Sequence, residues 1–108
     1  MEINLSNNHC IIKPLCQKIT KREAERLFDE VKNHNEALAL DMSFVNDCTI
    51  DFIELFKNIK NLSLFNINSD VFSLFLSMNL DKTFKLFVSE LDFIEDRHQL
   101  INRKFSIV

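Results

Sequence analysis

The chain has 108 residues, 46% of them apolar and 27% charged, and its formal net charge is −3 with acidic and basic residues mixed along it. That length fits one domain, residues 1–108, and that apolar fraction sets the chain apart from a disordered one. It contains no Gly, which excludes the Gly-rich phosphate loops of the dinucleotide-binding and Walker types and the nucleotide enzymes built on them.

Glu2 to Ser6 alternates polar and apolar residues and predicts an edge strand. Asn7-Asn8-His9 is a turn signal, and Cys10 to Leu15 reads as a strand that ends or lies at an edge near Pro14, which cannot donate a ladder hydrogen bond. Thr20-Lys21-Arg22-Glu23 is a capping box. The helix it opens has an apolar face of Ala24, Leu27, Phe28 and Val31, and ends at Asn33 to Asn35. Ala37 to Leu40 is a continuous apolar run suited to a central strand. Asp41 to Thr49 reads as an irregular polar connection, followed by a helix over Ile50 to Ile59. Leu62 to Ile67 predicts a third core strand, and Ser69-Asp70 predicts the cap of a helix that runs to about Asn79. Val71, Phe72, Leu74, Phe75, Leu76 and Met78 make that helix apolar almost all round, more than one sheet face requires. Thr83 to Val88 is a last strand, with Phe84, Leu86 and Val88 on one face. Ser89 to Asp92 caps a final helix whose Leu91, Ile94, Leu100 and Ile101 are expected to face inward. Strands alternating with helices predict an α/β domain with an open, mostly parallel sheet of about four or five strands.

Cys10, Cys16 and Cys48 are odd in number and widely spaced, and no CxxC occurs. His9, His34 and His98 are scattered and read as solvated. This pattern argues against a zinc site and a disulfide framework, so no metal or cofactor is expected and a reducing cytoplasm is the expected setting. Met1 to Asn4 lacks a basic region followed by an apolar run, so no secretory signal is expected. No apolar stretch approaches the ~20 residues that span a bilayer, so direct membrane insertion is not expected. Nor is nucleic acid an expected partner, since no basic stripe is present.

Three segments together resemble the STAS domain family, to which the bacterial anti-sigma factor antagonists belong. Leu15-Cys16-Gln17-Lys18-Ile19-Thr20 with its capped helix is similar to the family's strand, Gly-x-Leu-Asp/Thr turn and first helix, with Ile19 at the Leu position. Leu40-Asp41-Met42-Ser43-Phe44-Val45 is similar to a core strand ending in Leu-Asp-Leu-Ser-x-Val. Leu64 to Ile67, Val71, Leu74, Met78-Asn79-Leu80 and Phe84 resemble the strand, helix, x-Gly-Leu turn and last strand. The resemblance covers nearly the whole chain through order and spacing, without a single diagnostic motif. It implies about four helices mainly on one side of the sheet. It also implies a binding module that in the anti-sigma antagonists is switched by phosphorylation of a Ser at the start of the second helix, within Asp-Ser-Ser/Thr-Gly. A phosphate there suits the helix dipole but blocks a partner surface by charge and bulk.

The chain departs from that pattern. An ungapped continuation from Asp41 places Thr49-Ile50-Asp51-Phe52 on the motif, with Val45, Cys48, Ile53 and Phe56 on apolar positions and Ile50, which has no hydroxyl, on the phosphorylated one. A competing register places Asp47-Cys48-Thr49 on Asp-Ser-Ser at the expense of the apolar match. The stretch from Phe56 to Leu62 is also shorter than the family usually shows.

The expected partner surface is Asp41, Ser43, Asp47, Thr49, Ile50, Asp51 and Phe52, with Thr49 the candidate phosphosite. The competing reading of Asp47, Thr49 and Asp51 is helix capping. Phe72, Phe75 and Leu76 are either core or an exposed patch for a partner. Cys48 reads as a small buried apolar residue and not as a nucleophile. No catalytic constellation stands out, so the expectation is a non-enzymatic module that binds an anti-sigma kinase or related regulator, as monomer or weak homodimer. The alternatives are an accessory subunit of a phospholipid-type ABC transporter and a small-ligand binder.

Overall fold

A computed structural model of the chain describes residues 1–6, 8–34, 37–59 and 61–95. Two apolar alternations at the start of the chain form a hairpin: β1 (Glu2–Leu5) pairs antiparallel with β2 (His9–Lys13), Ile3 against Ile12 and Leu5 against Cys10. β2 stops one residue before Pro14, as its missing N–H requires. β3 (Lys18–Ile19) and α1 (Lys21–Val31) follow, then β4 (Ala37–Asp41), β5 (Asp47–Cys48), α2 (Ile50–Phe56), β6 (Ser63–Phe65), α3 (Ser69–Ser77), a 3-10 turn at Leu80–Lys82, β7 (Lys85–Phe87) and α4 (Glu90–Ile94).

The main sheet has the order β1-β2-β4-β6-β7, with β2, β4, β6 and β7 parallel. Among the described residues the fold is therefore α/β, with an open, mixed, mostly parallel five-stranded sheet and four helices. From β2 onward each new parallel strand is added on the same side of the last. Right-handed crossovers that all move one way leave their helices on one face. Accordingly Leu27 of α1, Phe56 of α2 and Phe75 of α3 share one core cluster with Ile12, Leu40 and Leu64.

The register draws one row across the sheet: Ile3, Ile12, Leu40, Leu64 and Leu86 are successive cross-strand partners. The last four are buried under the helices, each worth roughly 1.5–3 kcal/mol of transfer free energy. The alternate residues Ile11, Ala39, Phe65 and Phe87 face the other side, where Phe93 of α4 covers them. Its ring lies 5.9 Å from that of Phe65 and 5.5 Å from that of Phe87. On the helical face, Phe52 stacks on Phe56 at 4.6 Å, and Phe28 meets Phe56 edge-on at 5.8 Å, locking α1 to α2.

Several expectations change. The Asp41–Thr49 connection is not wholly irregular, because β5 forms a short parallel pair with β3. Asn68, not Ser69-Asp70, caps α3, its side chain accepting from the Val71 N–H at 2.8 Å. Of the two readings left open for α3, core holds for Phe72 and Phe75, which are buried in the main cluster, with Phe75 on Phe84 at 5.7 Å. Leu76 alone of that trio faces out. Leu91 and Ile94 do not face inward, being 58% and 47% exposed, because the aromatic cluster takes Phe93 as the anchor of α4. Leu100, Ile101 and His98 lie outside the described residues. His9 and His34 are less solvated than their sequence positions suggest. His9 packs edge-on against Phe93 at 5.2 Å, and His34 Nε2 lies 2.9 Å from Glu30 Oε2.

A chain without Gly still turns through left-handed backbone. Asn61, Asn66 and Asn79 are the described residues with positive φ, at 61°, 57° and 58°. Asn tolerates this region better than other residues with a Cβ. Asn79 is the position that the family resemblance aligns with a Gly.

Candidate functional site

The segment from Asp41 to Phe52 leaves the C-terminal end of β4, the middle strand, and returns through β5 into α2. Three of its apolar residues point down: Met42, Val45 and Cys48 are buried with Ile19, Ile53 and Phe56. The four residues that the ungapped register makes apolar, Val45, Cys48, Ile53 and Phe56, are thus all core.

Its polar groups mostly hold the loop. The Asn46 and Asp47 amides both donate to the Gln17 carbonyl, at 2.7 and 3.1 Å, and Met42 donates to the Phe65 carbonyl at 2.9 Å. Asp41 Oδ1 accepts from the Ser43 N–H and from Asn66 Nδ2, each at 3.1 Å. Asp47 Oδ1 accepts from the Cys48 N–H at 2.9 Å, and its Oδ2 lies 3.9 Å from Lys18 Nζ. Asn68 Nδ2 donates to the Val45 carbonyl and to Asn46 Oδ1, each at 3.3 Å, while its own Oδ1 caps α3.

Thr49 does not cap α2 with its side chain. Its hydroxyl and its N–H both donate to the Ile19 carbonyl, each at 3.0 Å, so Thr49 extends the β3–β5 pair. Asp51 lies in the first turn of α2, where its charge suits the helix dipole. Ile50 is the first residue of that helix and is 54% exposed. Phe52 is the correction in the expected surface: its ring is fully buried on Phe56, so it supports the loop from below and offers a partner nothing.

Sequence reasoning missed the neighbouring rim. An open groove of about 460 Å³ runs between residues 15–17 and the loop, lined by Leu15, Cys16, Gln17, Ser43, Phe44 and Asn46. Phe44 is 50% exposed, and Lys13 Nζ sits 4.6 Å from its ring centroid, a cation–π contact that favours one ring orientation. The available signal was Phe44 as the one aromatic residue between Asp41 and Thr49. The loop therefore offers apolar side chains outward beside polar ones: Phe44 and Leu15 stand next to the groove with Ser43 and Asn46, and Ile50 lies at the far end.

Burial, then the charge of Asp47, pushes the Cys48 thiol up to about 11, and burial, then Glu23, raises that of Cys16. Both are thiols at neutral pH and poor nucleophiles. No cluster of three or more His, Cys, Asp or Glu that could hold a metal occurs among the described residues. None of the described helices is long and apolar enough to cross a membrane. A sheet extended in one direction also has no reversal of strand order among its parallel strands, the place where open α/β sheets form a ligand crevice.

No family model matches the chain, and no curated protein is significantly similar to it.

Proposed function

We propose that the protein is a non-catalytic interaction module of the anti-sigma antagonist type, which binds a regulatory protein through the β4–α2 loop and the adjoining groove. The observation that carries this reading is the exposure of Phe44 and Ile50 on a loop anchored by hydrogen bonds of Thr49, Asn68 and its own backbone. A rigid mount with apolar anchors loses little conformational entropy on binding, which favours a protein partner. The charged residues around it, Lys18, Asp47 and Asp51, form a polar rim.

In this reading binding is not switched by phosphate at the start of α2. Ile50 has no acceptor, and the Thr49 hydroxyl is engaged by the Ile19 carbonyl. Incubation of the protein with lysate of its native cells and ATP, followed by intact-mass measurement, is expected to add no stoichiometric phosphate at Thr49.

The test of the function is affinity purification from those cells with the wild-type protein, a Phe44→Asp/Ile50→Asp variant and a Leu76→Asp control. One regulatory protein recovered by wild type and control but not by the loop variant supports the reading. Equal recovery by all three contradicts it, and recovery of a membrane ATPase instead would place the protein in a transporter.

A further inference from the structure

We infer that β1 is the contact between two copies of this chain, joined edge to edge by antiparallel pairing of β1 with itself about a two-fold axis at Ile3. Among the described residues β1 is the outer strand of the sheet, and all four of its residues are exposed. The Ser6 N–H donates to the His9 carbonyl at 2.9 Å, which fixes the phase of the hairpin ladder. Ser6, Asn4 and Glu2 therefore turn their backbone groups toward β2, opposite His9, Ile11 and Lys13. In an antiparallel ladder the alternate residues point the other way. Met1, Ile3 and Leu5 thus present their N–H and C=O groups to solvent, a ready template for a further strand.

Those same residues carry the apolar side chains, with Ile3 42% and Leu5 57% exposed. An antiparallel copy centred on Ile3 matches the exposed groups one for one. Ile3 exchanges both of its bonds with Ile3 of the second copy, and Leu5 pairs with Met1. Side by side on one face, Met1, Ile3 and Leu5 of each copy extend the buried row that runs from Ile12 to Leu86. On the opposite face Glu2 lies across from Asn4 of the second copy, so like charges are not opposed. The other edge, β7, is only three residues long and carries an exposed Lys85, a device that discourages pairing. β1 has no Lys and no Pro.

The contact is tested on the full chain by sedimentation over a concentration series up to about 1 mM, the weak end of specific association. The wild type is expected to approach twice the monomer mass. Ile3→Pro removes an outward N–H and no hydrogen bond within the sheet, so it is expected to stay monomeric with an unchanged circular dichroism spectrum. If that variant fails to fold, Ile3→Cys decides. Oxidation is expected to link two copies through position 3, where the paired Cα atoms lie within disulfide reach, and Leu76→Cys is expected to give no such product. A wild type that remains monomeric throughout overturns the inference. So does a folded Ile3→Pro that still dimerises, or an Ile3→Cys that does not cross-link.

Discussion

Asn79 ends α3 with φ 58° and ψ 28°, a conformation that a β-branched residue enters only with strain. Asn79→Val is expected to cost about 1–2 kcal/mol. Each kcal/mol lowers Tm by roughly 4–8 °C in a domain near this size. Asn79→Gly is expected to hold or raise the wild-type Tm, and thermal unfolding followed by circular dichroism separates the two. Cys48 gives a pH prediction. Its folded thiol keeps its proton to about 11 against an ordinary value of 9.0, because burial and Asp47 disfavour the thiolate. Its stabilising share is therefore complete below pH 9 and lost as pH rises through about 11. Urea midpoints of wild type and Cys48→Ala measured from pH 8 to 11 should converge as the pH climbs. A constant gap would show that burial of the thiol is not what the fold depends on there.

At the scale of elements, the site rests on the junction of β3, β5 and α2. The Thr49 hydroxyl crosses from the start of α2 to the Ile19 carbonyl at 3.0 Å and ties two short strands together. Thr49→Val keeps the shape and loses that bond, and is expected to cost about 1 kcal/mol, whereas Thr49→Ser costs less. Phe52 and Ile50 are neighbours in sequence with opposite fates. Phe52→Ala empties a buried ring site and should cost about 3–5 kcal/mol, while Ile50→Ala should stay within about 0.5 kcal/mol. Chemical denaturation of the pair checks this. The helical residues at i, i+3 and i+4 of α1 and the run Ala37 to Leu40 announced their elements, since a face or a strand interior writes a period into the chain. Two-residue β3 and β5 write none, and their pairing spans the whole of α1. The inward choice of Phe93 over Leu91 and Ile94 was equally hidden, because it depends on how Phe65 and Phe87 of two paired strands share one face of the sheet.

For the whole molecule, one-directional winding is the organising fact. It puts α1, α2 and α3 over the Ile12–Leu40–Leu64–Leu86 row, and lifts the β4–α2 loop off the middle of the sheet. The alternation of strands and helices disclosed that architecture. The β4–α2 loop was legible too, as the polar stretch after the apolar run Ala37 to Leu40. Its chemistry was not. Several polar groups that drew attention in the sequence bond to the loop and its neighbours, Asp41 and Asp47 through backbone N–H groups and Thr49 through the Ile19 carbonyl, while the apolar Phe44 and Leu15 stand exposed beside the groove. Binding through this loop and groove is tested most directly by amide hydrogen exchange, with the protein measured alone and bound to its captured partner. Protection gained over residues 15–17 and 43–51, with α3 and α4 unchanged, is the predicted result. Protection confined to β1 or to α3, with the loop exchanging as in the free protein, would contradict it.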